Sequence, residues 1–168
     1  TFDILIAYEM SEEAKAYCEE KNTELEMTAI GTDALVFICS LENKVKNLTD
    51  KQIREIYKGN ITNWKDVGGE DHPITAYQRN KDSGSQTLFD KIINLGDELM
   101  DAPEEIRIGS MIGLLEAVAD YDNSKDALGY TVYYYLTNME KDKLSTSKLL
   151  SVDGTEPTND SIAKGEYP

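Results

Sequence analysis

Arg79-Asn80-Lys81-Asp82-Ser83-Gly84-Ser85-Gln86 is the stretch of this sequence whose residue types and spacing suit a small anion. An arginine brings a planar, charged fork of N–H donors that matches an oxyanion, and serine hydroxyls add single donors. Ser83-Gly84-Ser85 also reads as a helix start, where the first backbone N–H groups lack intrahelical partners and the helix dipole is positive. Gly84 has no side chain to hold an anion away from that backbone. On residue pattern alone a second reading stands beside this one: Ser83 is an ordinary N-cap and Arg79 a solvated arginine upstream of it. Lys81 is the rival cation.

Catalytic chemistry finds less to work with. His72 is a lone histidine beside Pro73 in a polar loop and reads as a surface residue. Ser83 and Ser85 lack the GxSxG elbow of a nucleophilic serine and an evident base. The acidic pairs Glu12-Glu13, Glu19-Glu20 and Glu104-Glu105 fall at helical surface positions and read as solvated faces. Cys18 and Cys39 have no CxxC spacing and no neighbouring histidine, so packed free thiols are expected and no metal or other cofactor. Tyr130 and Tyr133-Tyr134-Tyr135 suit a half-buried strand better than a platform for stacked bases.

An anion loop of this kind needs a strand before it and a helix after it, and the sequence supplies both. Ile74 to Tyr77 reads as a strand, Gln78 to Ser83 as a polar loop, and Ser85 to Leu95 as a helix with Leu88, Phe89, Ile92 and Ile93 on one face. Upstream, Asp3 to Tyr8 reads as a buried strand and Ser11 as the cap of a helix to about Lys21. Leu25 to Ile30 and Ala34 to Cys39 read as one long strand bent at Gly31-Thr32-Asp33. Thr49 and Gln52 have capping-box spacing, and Gly59 ends the helix they open. Trp64 sits in a turn from Asn63 to Gly69. Downstream come a helix from Met111 to Tyr121, a turn at Asp122-Asn123-Ser124 and a strand from Ala127 to Leu136. A short strand from Leu149 to Val152, an Asp153-Gly154 turn and a capped helix near Asn159 finish the chain. Alternating strands and helices predict an α/β layer architecture.

The composition bounds what such a fold could serve. The 168 residues, 40% hydrophobic, suffice for one sizeable core or two small ones. The 32 acidic and 17 basic residues give a net charge of -15, which repels polyanions and argues against nucleic acid as a partner. A small anion in a local site is not excluded, because salt screens a distant surface field. No apolar run approaches membrane-spanning length, and Thr1-Phe2-Asp3-Ile4 lacks the features of a signal peptide.

A set of landmarks then runs through the chain in order: Gly31-Thr32-Asp33-Ala34-Leu35-Val36-Phe37, Asn47-Leu48-Thr49 with Ile53 and Ile56-Tyr57, and Gly59-Asn60-Ile61-Thr62-Asn63-Trp64. Arg79 with Ser83-Gly84-Ser85-Gln86 follows, then Glu116-Ala117-Val118-Ala119, Leu128-Gly129-Tyr130 and Val152-Asp153-Gly154-Thr155-Glu156-Pro157. In order and spacing the chain resembles the PstS-like phosphate-binding proteins of ABC transporters, a branch of the periplasmic-type solute-binding proteins found in Gram-positive bacteria.

The resemblance implies an α/β fold of two lobes joined by two crossing strands, here one three-layer lobe with a mixed sheet plus a remnant of the other lobe. Residues 34–129 would be lobe II, carrying the anion loop, while 1–33 and 130–168 would be a discontinuous, partial lobe I lacking its N-terminal part. Gly31 to Phe37 and Gly129 to Tyr135 would be the crossings. It makes Arg79, Ser83, Gly84 and Ser85 the anion contacts of lobe II and puts the family's proton-accepting aspartate near Tyr8-Glu9. The implied function is extracytoplasmic capture of inorganic phosphate or a similar oxyanion for import through an ABC-transporter permease, without catalysis. A ligand-free sensor or interaction domain of the same fold, and a phosphatase, are the alternatives. The implied location is extracellular, with a lipid anchor outside this sequence holding the protein to the outer face of the membrane. The lobe I strands Ile4 to Tyr8 and Leu149 to Val152 are expected to expose unpaired edges and to support dimerisation.

Overall fold

The computed structural model describes residues 12–24, 26–80, 83–94, 98–119 and 125–168. The expected strand at Ile4 to Tyr8, Glu9, Lys81 and the turn at 122–124 lie outside them. The chain divides into two compact units, Thr1–Gly31 and Thr32–Pro168. In the first unit, helix α1 spans Glu12–Glu20. Residues 26–31 form no strand, and Met27 and Ile30 are exposed, so the expected long bent strand is cut to its second half. An apolar run becomes a strand only where a neighbour takes its backbone groups. Here that neighbour exists for the second run and not, among the described residues, for the first.

In the second unit the elements follow the order β1 (Leu35–Ser40), β2 (Asn47–Leu48), α2 (Asp50–Tyr57), β3 (Thr75–Ala76), β4 (Gln78–Arg79) and α3 (Gly84–Phe89). Next come β5 (Arg107–Ile108), α4 (Met111–Ala119), β6 (Ala127–Val132), β7 (Ser147–Leu149), β8 (Ser151–Val152) and α5 (Asn159–Ala163). Short 3-10 and π turns fill the connections, including a π turn at Asp90–Asn94 that continues α3. The main sheet has the order β3-β6-β1-β7 and is mixed: β1 pairs antiparallel with β6 and β7, whereas β3 pairs parallel with β6. Two small parallel ladders, β2 with β8 and β4 with β5, stand beside it.

All six residues of β1 and all six of β6 are buried, because helices cover both faces of the sheet. On one face, Phe37, Cys39, Leu128 and Tyr130 meet Ile53, Ile56 and Tyr57 of α2 and Phe89 of α3. On the other, Ile38 and Ala127 meet Leu114, Leu115 and Val118 of α4. A Cβ built on Gly129 would stand 2.7 Å from both Leu114 Cδ2 and Val118 Cγ2, so the missing side chain lets α4 lie close on the sheet. Helix, sheet and helix make three layers, and the expected α/β fold with a mixed sheet is present.

Leu35 lies opposite Val132, so the two segments read as crossings run side by side in one sheet. Strand β6 is shorter than expected. Its ladder ends where the Tyr133 N–H donates to Ala34 O, and Asp33 Oδ1 then accepts the N–H groups of Ala34 and Tyr134. That carboxylate starts a helical turn in the tyrosine run, which continues as a π turn from Tyr135 to Met139.

Leu150, Val152, Ile162 and Tyr167 lie in the same core as Val36 and Phe37, within the unit of residues 32–168. Strand β7 pairs with β1 on one side and β8 with β2, and as the end strand of the main sheet β7 has no second partner strand among the described residues. The other strand of the dimerisation expectation, Ile4 to Tyr8, lies outside the described residues.

Candidate functional site

The β4–β5 ladder is two residues long, with Gln78 opposite Arg107 and Arg79 opposite Ile108. Both strands point the same way, and each leads within a few residues to a helix start: α3 at Gly84 and α4 at Met111. Ligand crevices in α/β sheets lie off the carboxyl ends of parallel strands, and Arg79 sits at such an end. Ser83 is the N-cap of α3 with extended backbone, its Oγ accepting the Gln86 N–H at 3.2 Å. A hydroxyl that accepts one N–H keeps its own proton to donate. Ser110 Oγ plays the same part at α4, accepting the Gly113 N–H at 3.0 Å.

The four residues read as anion contacts fall on this one strand–loop–helix segment. Gly84 is exposed as the first residue of α3, and Ser85 behind it is only 4% exposed. The Ser85 Oγ is buried and has no hydrogen-bond partner among the described residues, and the same holds for Arg79 Nε and Nη1. Burial lowers the Arg79 guanidinium from its usual range, and the nearby Tyr130 and Tyr135 oppose that shift. An arginine stays charged even so, and its charge is only partly solvated. Buried N–H and O–H donors are almost always paired in folded proteins, so three such atoms beside one helix start point to a ligand that accepts hydrogen bonds.

The other residues considered for chemistry separate from this site. His72 Nδ1 lies 3.5 Å from Asp126 Oδ1, near Trp64, whose Nε1 donates to Asp126 O at 3.1 Å. Glu19, Glu20, Glu104 and Glu105 are exposed. Cys18 and Cys39 are free, and burial pushes the Cys39 thiol up to about 12, leaving it unreactive at neutral pH. Among the described residues no group of His, Cys, Asp and Glu is placed to hold a metal ion.

Sequence reading missed the residues that hold the segment in place. Gln86 and Tyr130 both bond to the Arg79 backbone N–H, at 3.1 and 3.0 Å. The Ser83-x-x-Gln86 spacing was a signal for Gln86. For Tyr130 there was none, because strand β6 is remote in sequence. Strand β5 was also missed, although Ile106 to Ile108 before Gly109-Ser110 repeats the pattern of a strand, a turn and a helix start.

Comparison with known proteins gives the segment a setting. A model of the PBP superfamily domain matches residues 2–168. The phosphate-binding protein PstS of Bacillus subtilis is 35% identical over 124 residues, covering 74% of this chain and 37% of the relative. That of Borreliella burgdorferi is 32% identical over 154 residues, covering 89% and 53%. The crystal structure of PstS from Borrelia burgdorferi superposes with a TM-score of 0.69 at 30% identity, covering 83% of this chain and 55% of that one. A putative phosphate ABC transporter substrate-binding protein from Clostridium perfringens, solved with bound phosphate, gives a TM-score of 0.69 at 30% identity, covering 89% and 57%. The chain thus spans from 37% to 57% of the length of these proteins.

Proposed function

The chain belongs to the PBP superfamily, and we propose that its Arg79–Ser85 segment binds phosphate in an extracytoplasmic solute-binding protein that serves an ABC transporter. The observation that carries this reading is the set of unpartnered buried donors, Arg79 Nε and Nη1 with Ser85 Oγ. A tetrahedral oxyanion accepts from all of them, and it also takes the free N–H groups at the start of α3. The names of the relatives supply the choice of phosphate among oxyanions.

Binding rather than catalysis is supported by the serines themselves. Among the described residues Ser85 Oγ has no base within hydrogen-bond reach, and Ser83 Oγ is engaged in the cap. Residues 34–129 are proposed as the lobe that carries the anion loop, and residues 1–33 with 130–168 as a discontinuous, partial lobe I. The outer face of a Gram-positive membrane, reached through a lipid anchor, is where such capture would supply a permease.

Calorimetric titration of the chain with phosphate and, separately, with sulfate tests the reading. Saturable binding of phosphate with weaker binding of sulfate is expected. Equal affinities would remove the phosphate assignment and leave an oxyanion site. Binding of neither would favour a ligand-free interaction domain.

A further inference from the structure

Helices α2 and α3 open with the same spacing of a hydroxyl residue and a glutamine, used in two different ways. At α2 the exchange is reciprocal: Thr49 Oγ1 accepts the Gln52 N–H at 3.1 Å, and Gln52 Oε1 accepts the Thr49 N–H at 2.9 Å. At α3 only the first half is made. The Ser83 N–H goes instead to Asn80 O at 2.9 Å, and the Gln86 side chain turns back to the strand, where its Oε1 accepts the Arg79 N–H.

Tyr130 completes this arrangement from the main sheet. Its hydroxyl accepts the Arg79 N–H and donates its proton to Gln86 Oε1. Burial raises the hydroxyl well above its usual range, so it keeps that proton at any physiological pH. Gln86 Nε2 donates to Asp90 Oδ1 at 3.0 Å, which fixes the amide's other end. The Tyr130 ring is fully buried, stacked on Phe89 at 4.7 Å and edge-on to Tyr57 at 5.8 Å. Arg79 itself ends a ladder of two residues, so few backbone bonds of its own sheet hold it.

We propose, resting on the phosphate reading above, that Tyr130 and Gln86 are positioning residues of the anion site. They clamp the Arg79 backbone against the first turn of α3 and so aim its guanidinium, without touching the ligand. The sheet's aromatic core thereby sets the geometry of a site that a two-residue ladder could not hold alone.

The test has two arms on the full chain. In the first, inorganic phosphate is titrated into Tyr130→Phe, which keeps the ring and removes the hydroxyl. Affinity should fall roughly 2- to 10-fold, the effect of one neutral hydrogen bond. In an Arg79→Ala background the same change should have almost no effect, because there is no guanidinium left to aim. An unchanged affinity, or an equal loss in both backgrounds, would overturn the positioning role. The second arm needs no ligand: amide hydrogen exchange at Arg79 should quicken roughly tenfold or more in Tyr130→Phe combined with Gln86→Met, with the amides of β1 unchanged. Unaltered exchange at Arg79 would refute the clamp itself. Should the wild-type chain bind no phosphate, the site reading fails while this arm still decides the clamp.

Discussion

Arg79 and Gly84 would influence an anion in opposite ways, one by what it donates and the other by what it lacks. Arg79→Ala removes a charge-assisted donor pair, and the loss of one such hydrogen bond is worth about 1.5 to 3 kcal/mol, so phosphate affinity should fall roughly 10- to 150-fold. Gly84→Val should be as harmful to affinity and nearly neutral for thermal stability. The position is exposed at the helix start, and a branched side chain would occupy the approach of the anion without disturbing the core. Ser83→Ala should show the reverse balance. It removes the cap, at about 1 kcal/mol of stability, but leaves the backbone donors in place and so costs less affinity than the arginine change. Parallel phosphate titrations and melting curves check all three, and equal affinities would reduce the loop to an ordinary helix cap. These residues were legible because a serine-flanked glycine after a strand announces a helix start by local chemistry. The clamp was not, since the bond between Tyr130 and Gln86 joins residues separated by 44 positions.

At the scale of elements, local signals fixed the caps and tertiary partners fixed the strand lengths. The capping box at Thr49 and Gln52, the left-handed Gly59 and the turn at Asp153-Gly154 all form where residue type demands them. Thr49→Ala should therefore cost about 1 kcal/mol, within a range of roughly 0.5 to 2, read as a lowered denaturant midpoint with an unchanged slope. Where β6 stops was not legible, because Asp33, which leads into the adjacent strand β1, ends it from 101 positions away in sequence. The same holds for residues 26–31, whose apolar pattern suggests a strand that has no pairing neighbour among the described residues. Gly129 links sequence pattern to layer spacing. Gly129→Ala should destabilise the fold by about 1 to 3 kcal/mol, because the new methyl group meets Leu114 and Val118 at 2.7 Å and α4 must shift or repack. A stability equal to wild type would mean that α4 lies farther from the sheet than described.

The whole molecule carries a net charge of -15, and that excess acts on the fold as well as on partners. Self-repulsion should be relieved as the screening length falls from about 30 Å at 0.01 M salt to about 8 Å at 0.15 M. The melting temperature should rise over that interval, and a fall would show that attractive ion pairs outweigh the repulsion. The partners of the C-terminal segment were the least legible feature. Composition does not reveal that Val152, Ile162 and Tyr167 return to the core begun by Phe37, because each lies in a short segment whose partners are set only by topology. The central claim is that this acidic chain nonetheless holds an oxyanion at Arg79, Gly84 and Ser85. Phosphate titration of the isotope-labelled chain, followed by NMR, tests it most directly. The account predicts that the Arg79 Nε–H and the Gly84 and Ser85 amides show the largest saturable shifts. Shifts centred elsewhere, or none at these three residues, would contradict it.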